Sequence, residues 1–300
     1  MTPEKYCEDK TRGSGSSFFY AFLFLSPEKR RAMMALYAFC REVDDIADEI
    51  KDKDVARTKL HFWKQEIDRV YADKARHPVG KELMWTKDNF PIEQSLLFEM
   101  IQGMLMDVEG KAIVSEDDLK LYCYRVAGVV GLLSIAVFGF KDEQSKTFAL
   151  RMGDALQLTN ILRDVYEDTK INRIYLPQQI RAQFKVTDQD IRQGFTDNQA
   201  TNANLKALFE YYQQQAHTAY QDALAALPAE DRQSLCPSLM MGAIYYAHLA
   251  KLESIDYDVW NHSARLSPLR KIWVAWRTWR YEKKAARKAP AHHIALKLDF

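Results

Sequence analysis

Two short acidic stripes, Asp44-Asp45-Ile46-Ala47-Asp48 and Asp164-Val165-Tyr166-Glu167-Asp168, hold the residues of this chain best suited to chemistry. Each repeats an Asp at i and i+4, which sets two carboxylates on one helical face about one turn apart. Packing a core needs no such pair, whereas gripping divalent cations between two facing helices does. Helical steps backward extend both stripes. Tyr37, Arg41, Asp44 and Asp48 are spaced 4, 3 and 4; Gln157, Asn160, Asp164 and Asp168 are spaced 3, 4 and 4. The other faces are apolar: Met34, Leu36, Phe39 and Val43 in one stretch, Leu156, Leu158, Ile161, Leu162 and Val165 in the other. Two helices buried on most sides, each with one polar seam, are expected.

Buried carboxylate pairs are costly unless a cation or a hydrogen-bond donor compensates them. Mg²⁺ is the natural compensator, because it takes oxygen ligands, keeps several waters and joins one or two carboxylates to substrate phosphates. Asn160 adds a neutral oxygen on the same face, and Arg41 and Arg163 can bond phosphate oxygens. A solvated acidic face with i,i+4 salt bridges would explain one stripe; two stripes extended in register argue against it. The central Gly and terminal Glu of an EF-hand are missing.

Metal-bridged diphosphate suggests ionisation of an allylic diphosphate. The carbocation left behind must be kept from water, so the rest of the cavity should be apolar and aromatic. Phe18, Phe19, Phe22, Val126, Ala127, Val130, Gly131 and Leu133 are candidates for that lining, and each would also serve as ordinary core.

The elements that must position these groups read as helices throughout. Ser26-Pro27-Glu28 opens one that runs through Ile50, with Ser as N-cap and Pro at N1. Others are expected at about 55–75, 91–109, 142–167, 205–226, 228–253 and 270–288. Ser115-Glu116-Asp117-Asp118 is a capping signature for one reaching residue 137. Residues 169–200 are different, and within them Asn172-Arg173-Ile174-Tyr175-Leu176-Pro177 has no helical period and reads as an ordered loop. With 11 Gly and 9 Pro in 300 residues, and no strand alternation or domain linker, the expectation is one all-α domain, 1–300, of about eight helices. A formal net charge of +1 argues against a general nucleic-acid binder. Cys7, Cys40, Cys123 and Cys236 lack metal-ligand spacing and read as reduced thiols of a cytosolic protein. The polar stretch from Met1 to Ser17 has no signal core. The apolar run Val126–Phe140 is shorter than the roughly 20 residues of a membrane span and reads as a buried helix.

Several of these segments resemble the squalene/phytoene synthase family. They are Ser17-Phe18, Tyr37-Ala38-Phe39-Cys40-Arg41, both acidic stripes, Gly103-Met104-Leu105-Met106-Asp107, Tyr122-Cys123-Tyr124-Arg125-Val126-Ala127-Gly128, Gln157 through Asp164, and Arg173-Ile174-Tyr175-Leu176-Pro177. The similarity spans about 14–252, in family order. It implies the all-α isoprenoid synthase fold, a bundle around a central apolar cavity, and head-to-head (1′–1) coupling of two prenyl diphosphates. It implies two or three Mg²⁺ ions at Asp44, Asp48, Asn160, Asp164 and Asp168. Arg41, Gln157, Arg163, Arg173 and Tyr175 match positions near the diphosphates, Ser17 and Phe18 a substrate-contacting segment, and Asp107 and Tyr122 positions pointing into the cavity.

Within the family, phytoene synthases couple two C20 chains, whereas squalene synthases couple two C15 chains and reduce the intermediate with NADPH. Residues 155–177, Leu266-Ser267-Pro268-Leu269-Arg270-Lys271 and the chain length look most similar to bacterial presqualene diphosphate synthases, with phytoene synthases next. On that reading two farnesyl diphosphates give presqualene diphosphate, a squalene and hopanoid precursor, without NADPH, and released pyrophosphate or Tyr37 accepts the proton. Leu105 departs from the family, where many relatives carry Glu or another polar residue.

Arg265 to Lys288 holds nine Lys or Arg against one acid, Glu282, interleaved with Trp273, Trp276 and Trp279. This basic, Trp-rich helix suits anionic lipid and a cytoplasmic protein peripheral to the inner membrane; docking on the body through the tryptophans is the other reading. His217, His248, His262, His292 and His293 read as surface or satisfied core residues. A non-catalytic, membrane-associated helical assembly protein is the rival class. It would have little reason to keep both stripes together with Asn160.

Overall fold

The computed structural model describes residues 1–13 and 17–288, with the side chains of Ser17 and of residues 286–288 outside that set. Fourteen α-helices and one π-helical turn make up the regular structure of the described residues. The first layer is built from α1 (Pro3–Gly13), α2 (Ser17–Phe22), α3 (Pro27–Glu49), α4 (Lys53–Tyr71), α5 (Pro78–Asn89) and α6 (Gln94–Glu109). Then come α7 (Glu116–Cys123), the π turn Tyr124–Gly128, α8 (Val129–Phe138) and the long α9 (Gln144–Lys170). Two short helices, α10 (Gln178–Gln183) and α11 (Asp188–Gln193), precede α12 (Gln199–Ala226), α13 (Cys236–Ser254) and α14 (Pro268–Lys288).

Helix α3 packs on α1, α5 and α6; α9 packs on α12 and α13; α8 touches both groups. Phe39, Phe148, Leu162 and Phe209 are fully buried among them. Buried acids brace the two helices that carry the stripes. Glu82 on α5 accepts Arg31 of α3 at 2.7 and 3.0 Å. Asp231 accepts the backbone N–H groups of Lys141 and Asp142 and the Ser145 hydroxyl, tying down the start of α9.

The expected count of about eight helices was too low: α1, α2, α5, α10 and α11 were not read as helices, and the π turn splits the one expected to reach residue 137 into α7 and α8. His77 and Pro78, read only as a break, also start α5, with His77 Nδ1 accepting the Val79 N–H. The ordered loop expected at 172–177 joins α9 to α10, and α10 and α11 then follow in a stretch where no helix was expected. Ser26 holds the N-cap position of α3 but makes no side-chain capping bond. Ser115 and Asp118 do form their reciprocal box. All four cysteines are free. The continuous helical stretch 116–138 is apolar and long enough to cross a membrane, yet half of its most apolar window is buried inside the protein.

Glycines let α8 and the π turn press onto α9. A Cβ on Gly153 would sit 2.8 Å from the backbone of Gly128, and one on Gly131 would sit 2.6 Å from the Ala149 carbonyl. Both neighbours are backbone and cannot swing aside. Gly153→Val is therefore expected to lose about 1–3 kcal/mol of stability despite the better helix former. A urea titration with an unshifted midpoint would contradict this packing.

Candidate active site

One cavity of about 670 Å³ opens between α3 and α9, a size suited to a small-molecule ligand. Its lining is graded along both helices. Met33, Tyr37, Arg41, Asp44 and Asp48 descend one face of α3; Met152, Gln157, Asn160, Asp164 and Asp168 descend one face of α9. From Met33 to Asp48 is 15 positions, roughly 22 Å at 1.5 Å per residue. The apolar end is completed by Phe18 and Phe22 of α2, Met100 and Met104 of α6, Val126 and Ala127 of the π turn, and Val130 and Phe138 of α8. π turns inside helices commonly mark functional sites.

The polar end coincides with the C-termini of α3 and α9. Helix dipoles already gather partial negative charge there, so carboxylates in the last turns are unfavourable unless cations arrive. Burial, then the neighbouring Asp164, push Asp168 up to about 8, with Asp48 and Asp107 adding to the effect. Burial and Asp48 push Asp44 up to about 7, against the pull of Arg41. Asp164 behaves oppositely. Burial would raise it, but the Arg163 guanidinium bonded to both its oxygens, together with Arg265, holds it below the usual carboxylate range.

Charged side chains tie the polar end together. Arg41 bonds Asp44 at 2.6 Å and also reaches Asp45. Arg173 spans from the loop after α9 to Asp48 at 2.5 Å and to the Ala47 carbonyl at 2.6 Å. Asp107 of α6 accepts Tyr122 on one oxygen at 3.1 Å and Tyr175 on the other at 2.9 Å, and those two rings stack at 4.6 Å. Burial raises Asp107 to about 6, with Arg173 and the two phenols opposing the rise.

The residues fit Mg²⁺. Asn160 Oδ1 is buried on the cavity wall with no hydrogen-bond partner among the described residues, while its amide nitrogen donates to Gln157. A lone acceptor oxygen on the same helical face as Asp164 and Asp168 suits a cation. Among the described residues no three His, Cys, Asp or Glu side chains form a self-sufficient ion cluster. Mg²⁺ shared between one or two carboxylates, waters and phosphate has no need of one.

Tyr37, Arg41, Asp44, Asp48, Asp107, Tyr122, Gln157, Asn160, Arg163, Asp164, Asp168, Arg173, Tyr175 and Phe18 all line this one cavity. The Ser17 side chain, His292 and His293 lie outside the described residues. Among the expected lining residues, Leu133 is buried in the core instead, and Phe19 turns toward Arg12. Leu105 is half-buried and off the cavity wall; its neighbour Met104 is on it.

Sequence reasoning missed Tyr245, Arg265 and Lys271, which also line the polar end. Arg265 reaches Asp164 at 3.3 Å across 101 positions of sequence, a pairing no local pattern could signal. His248 was expected to be a surface or satisfied core residue. Its Nδ1–H donates to the Ala264 carbonyl at 3.0 Å, but its Nε2 is buried on the cavity wall without a partner among the described residues. The signal was available: Met241, Tyr245 and His248 recur at helical spacing on α13.

An all-helical bundle with a cation-seeking rim above an apolar chamber defines an isoprenoid synthase. Comparison with solved structures agrees. A dehydrosqualene synthase in complex with ligand superposes with a TM-score of 0.81 at 29% identity, covering 94% of this chain and 97% of the other. A squalene synthase from Alicyclobacillus acidocaldarius shares the fold, with a TM-score of 0.73 at 24% identity over 85% of this chain and 95% of the other. The squalene/phytoene synthase profile matches residues 11–271. Phytoene synthase from Arthrospira platensis is 32% identical over 282 residues, 89% of each chain. The chloroplastic phytoene synthase of an Oncidium hybrid cultivar is 32% identical over 272 residues, 89% of this chain and 64% of that protein. The chain belongs to the squalene/phytoene synthase family, whose members are prenyltransferases that couple prenyl diphosphates head to head.

The raised carboxylates set a pH dependence. Asp44, Asp107 and Asp168 hold protons more tightly folded than unfolded, so their contribution to stability is present at low pH and lost as pH rises through about 6 to 8. Mg²⁺ must displace those protons, so it binds better as pH rises. The metal-free melting temperature is expected to fall between pH 5 and 8.5, and Mg²⁺ to raise it more at pH 8.5 than at pH 5.5. Scanning calorimetry showing an equal Mg²⁺ effect at both would contradict the assignment.

Proposed function

We propose that this chain couples two prenyl diphosphates 1′–1 and releases pyrophosphate. The observation that carries the reading is the single cavity with both Asp stripes at its polar end and an aromatic, Met-rich wall behind them. Asp44, Asp48, Asn160, Asp164 and Asp168 would hold Mg²⁺, in the two or three ions expected of the family. When bound, the metal neutralises charge on the departing diphosphate.

The chain's own side chains do the rest. Arg41, Arg163 and Arg173 are held beside the Asp rows, where each can exchange a carboxylate for a diphosphate oxygen. Arg265 and Lys271 add positive charge at the same end. Gln157, next to Asn160, presents a polar amide. Phe18 and Tyr37, with ring centres 5.7 Å apart, both line the cavity, where their rings would shield an allylic cation from water. The 2,3-double bond of the second substrate attacks that cation, and loss of one proton closes a cyclopropane. Released pyrophosphate or Tyr37 takes the proton.

Two chain lengths compete. The phytoene synthases at 32% identity favour two C20 substrates, with geranylgeranyl diphosphate as donor. The C15 reading, farnesyl diphosphate to presqualene diphosphate without NADPH, draws on the likeness of residues 155–177 and 266–271 and on the dehydrosqualene synthase neighbour. The names of the sequence relatives weigh toward C20.

Incubation with Mg²⁺ and either C15 or C20 diphosphate, without and with NADPH, followed by mass spectrometry of the lipids, separates the readings. Phytoene or its cyclopropyl precursor supports C20, and presqualene diphosphate supports C15. Asp44→Ala and Asp164→Ala are each expected to cut pyrophosphate release roughly 10³-fold or more, the scale of several kcal/mol of metal-assisted stabilisation. Unchanged turnover in both variants would eliminate the site.

A further inference from the structure

Among the described residues, helix α14 meets the body along one side. Val274, Ala275, Thr278 and Glu282 are buried on that side, which packs on α13 and α2. Glu282, the sole acid between Arg265 and Lys288, points inward and takes both guanidinium bonds of Arg232, at 2.8 and 2.9 Å. Trp279 is also turned to the body, 5.5 Å from Phe24.

The opposite side is built differently. Leu269 is 80% exposed, and Ile272, Trp273 and Trp276 are 41–43% exposed. At 3.6 residues per turn these four fall within an arc of about 100°. Arg270 and Arg277 stack on Trp273 at 5.0 and 5.2 Å, and Arg280 stacks on Trp276 at 5.1 Å. Docking through the tryptophans therefore holds for Trp279 and fails for Trp273 and Trp276.

We propose that this outward face of α14 rests on an anionic lipid bilayer. Its apolar centre would enter the boundary between headgroups and acyl chains, and its guanidinium groups would meet lipid phosphates. Charge complementarity selects this occupant. A second copy of the helix would bring the cationic residues Arg270 and Arg280 against themselves, and Glu282, the sole acid between Arg265 and Lys288, faces the other way. A nucleic acid would leave Leu269 and Ile272 without an apolar partner. Lys271, next to Ile272 in sequence, lines the cavity, so a docked chain holds its polar end near the membrane surface. That consequence rests on the prenyl-coupling reading; the docking itself does not.

The test is co-sedimentation of the purified full chain with vesicles of phosphatidylcholine alone or mixed with phosphatidylglycerol. Partition onto the anionic vesicles is expected, weakening as salt rises. Trp273→Ala with Trp276→Ala, and separately Arg277→Glu with Arg280→Glu, should each weaken it roughly tenfold or more. Circular dichroism and turnover in detergent should stay at wild-type values. Absence of wild-type binding, equal binding to both vesicles, or full binding by either variant overturns the proposal. So does a wild-type dimer that the tryptophan variant converts to monomer. Vesicle binding without prenyl diphosphate turnover would remove the proposed function and leave the surface standing; turnover without vesicle binding would remove the surface alone.

Discussion

Negative charge is concentrated where the fold can least tolerate it. Asp44 and Asp48 sit in the last turns of α3, Asp164 and Asp168 in the last turns of α9, and both helices end at the same cavity. The helix dipoles and the carboxylates reinforce each other there. Arg41, Arg163 and Arg173 offset part of this charge, and raised proton affinities of Asp44 and Asp168 offset more. The arrangement is a standing demand for cations. Mg²⁺ with a diphosphate would meet it: Asp44, Asp48, Asn160, Asp164 and Asp168 would hold the metal, and Arg41, Arg163 and Arg173 would be free to bond phosphate oxygens.

The rest of the molecule keeps the two rows apart and holds them in register. Asp231 anchors one end of α9, and Arg173 joins its other end to α3 across 125 positions of sequence. Glycine contacts press α8 and the π turn onto α9, which places Val126, Ala127 and Val130 on the wall. Behind the rim the wall is carried largely by Phe and Met. Such a surface offers a cation polarisable contacts and gives water few hydrogen-bond partners. A chamber polar at one end and greasy at the other suits a substrate with a diphosphate head and a hydrocarbon tail.

How much of this was legible depended on range. The stripes were readable because helical spacing is local: Tyr37 to Asp48 and Gln157 to Asp168 each need only a 3.6-residue period to share a face. That the two faces meet followed from the cost of burying carboxylates. The contribution of α13 and of the segment before α14 was not readable. Arg265 finds Asp164 through tertiary packing, and His248 is oriented by the backbone carbonyl of Ala264. Short helices such as α10 and α11 escaped because one and a half turns carry no usable period. Phe19 and Leu133 were misplaced for a related reason, since type and neighbourhood do not say which side of a thin wall a residue faces. The apolar lining was not readable as a unit either, since Met33, Phe22, Phe138 and Met241 reach it from four separate elements.

The account stands or falls on both Asp rows gripping one metal–diphosphate assembly. The most direct measurement is electron paramagnetic resonance of Mn²⁺ retained by the full chain with and without inorganic pyrophosphate. Pyrophosphate should increase the retained Mn²⁺ in the wild-type chain, and Asp44→Asn alone or Asp164→Asn alone should abolish that increase. If either variant keeps the full pyrophosphate-dependent signal, the rows act separately and the shared site is contradicted.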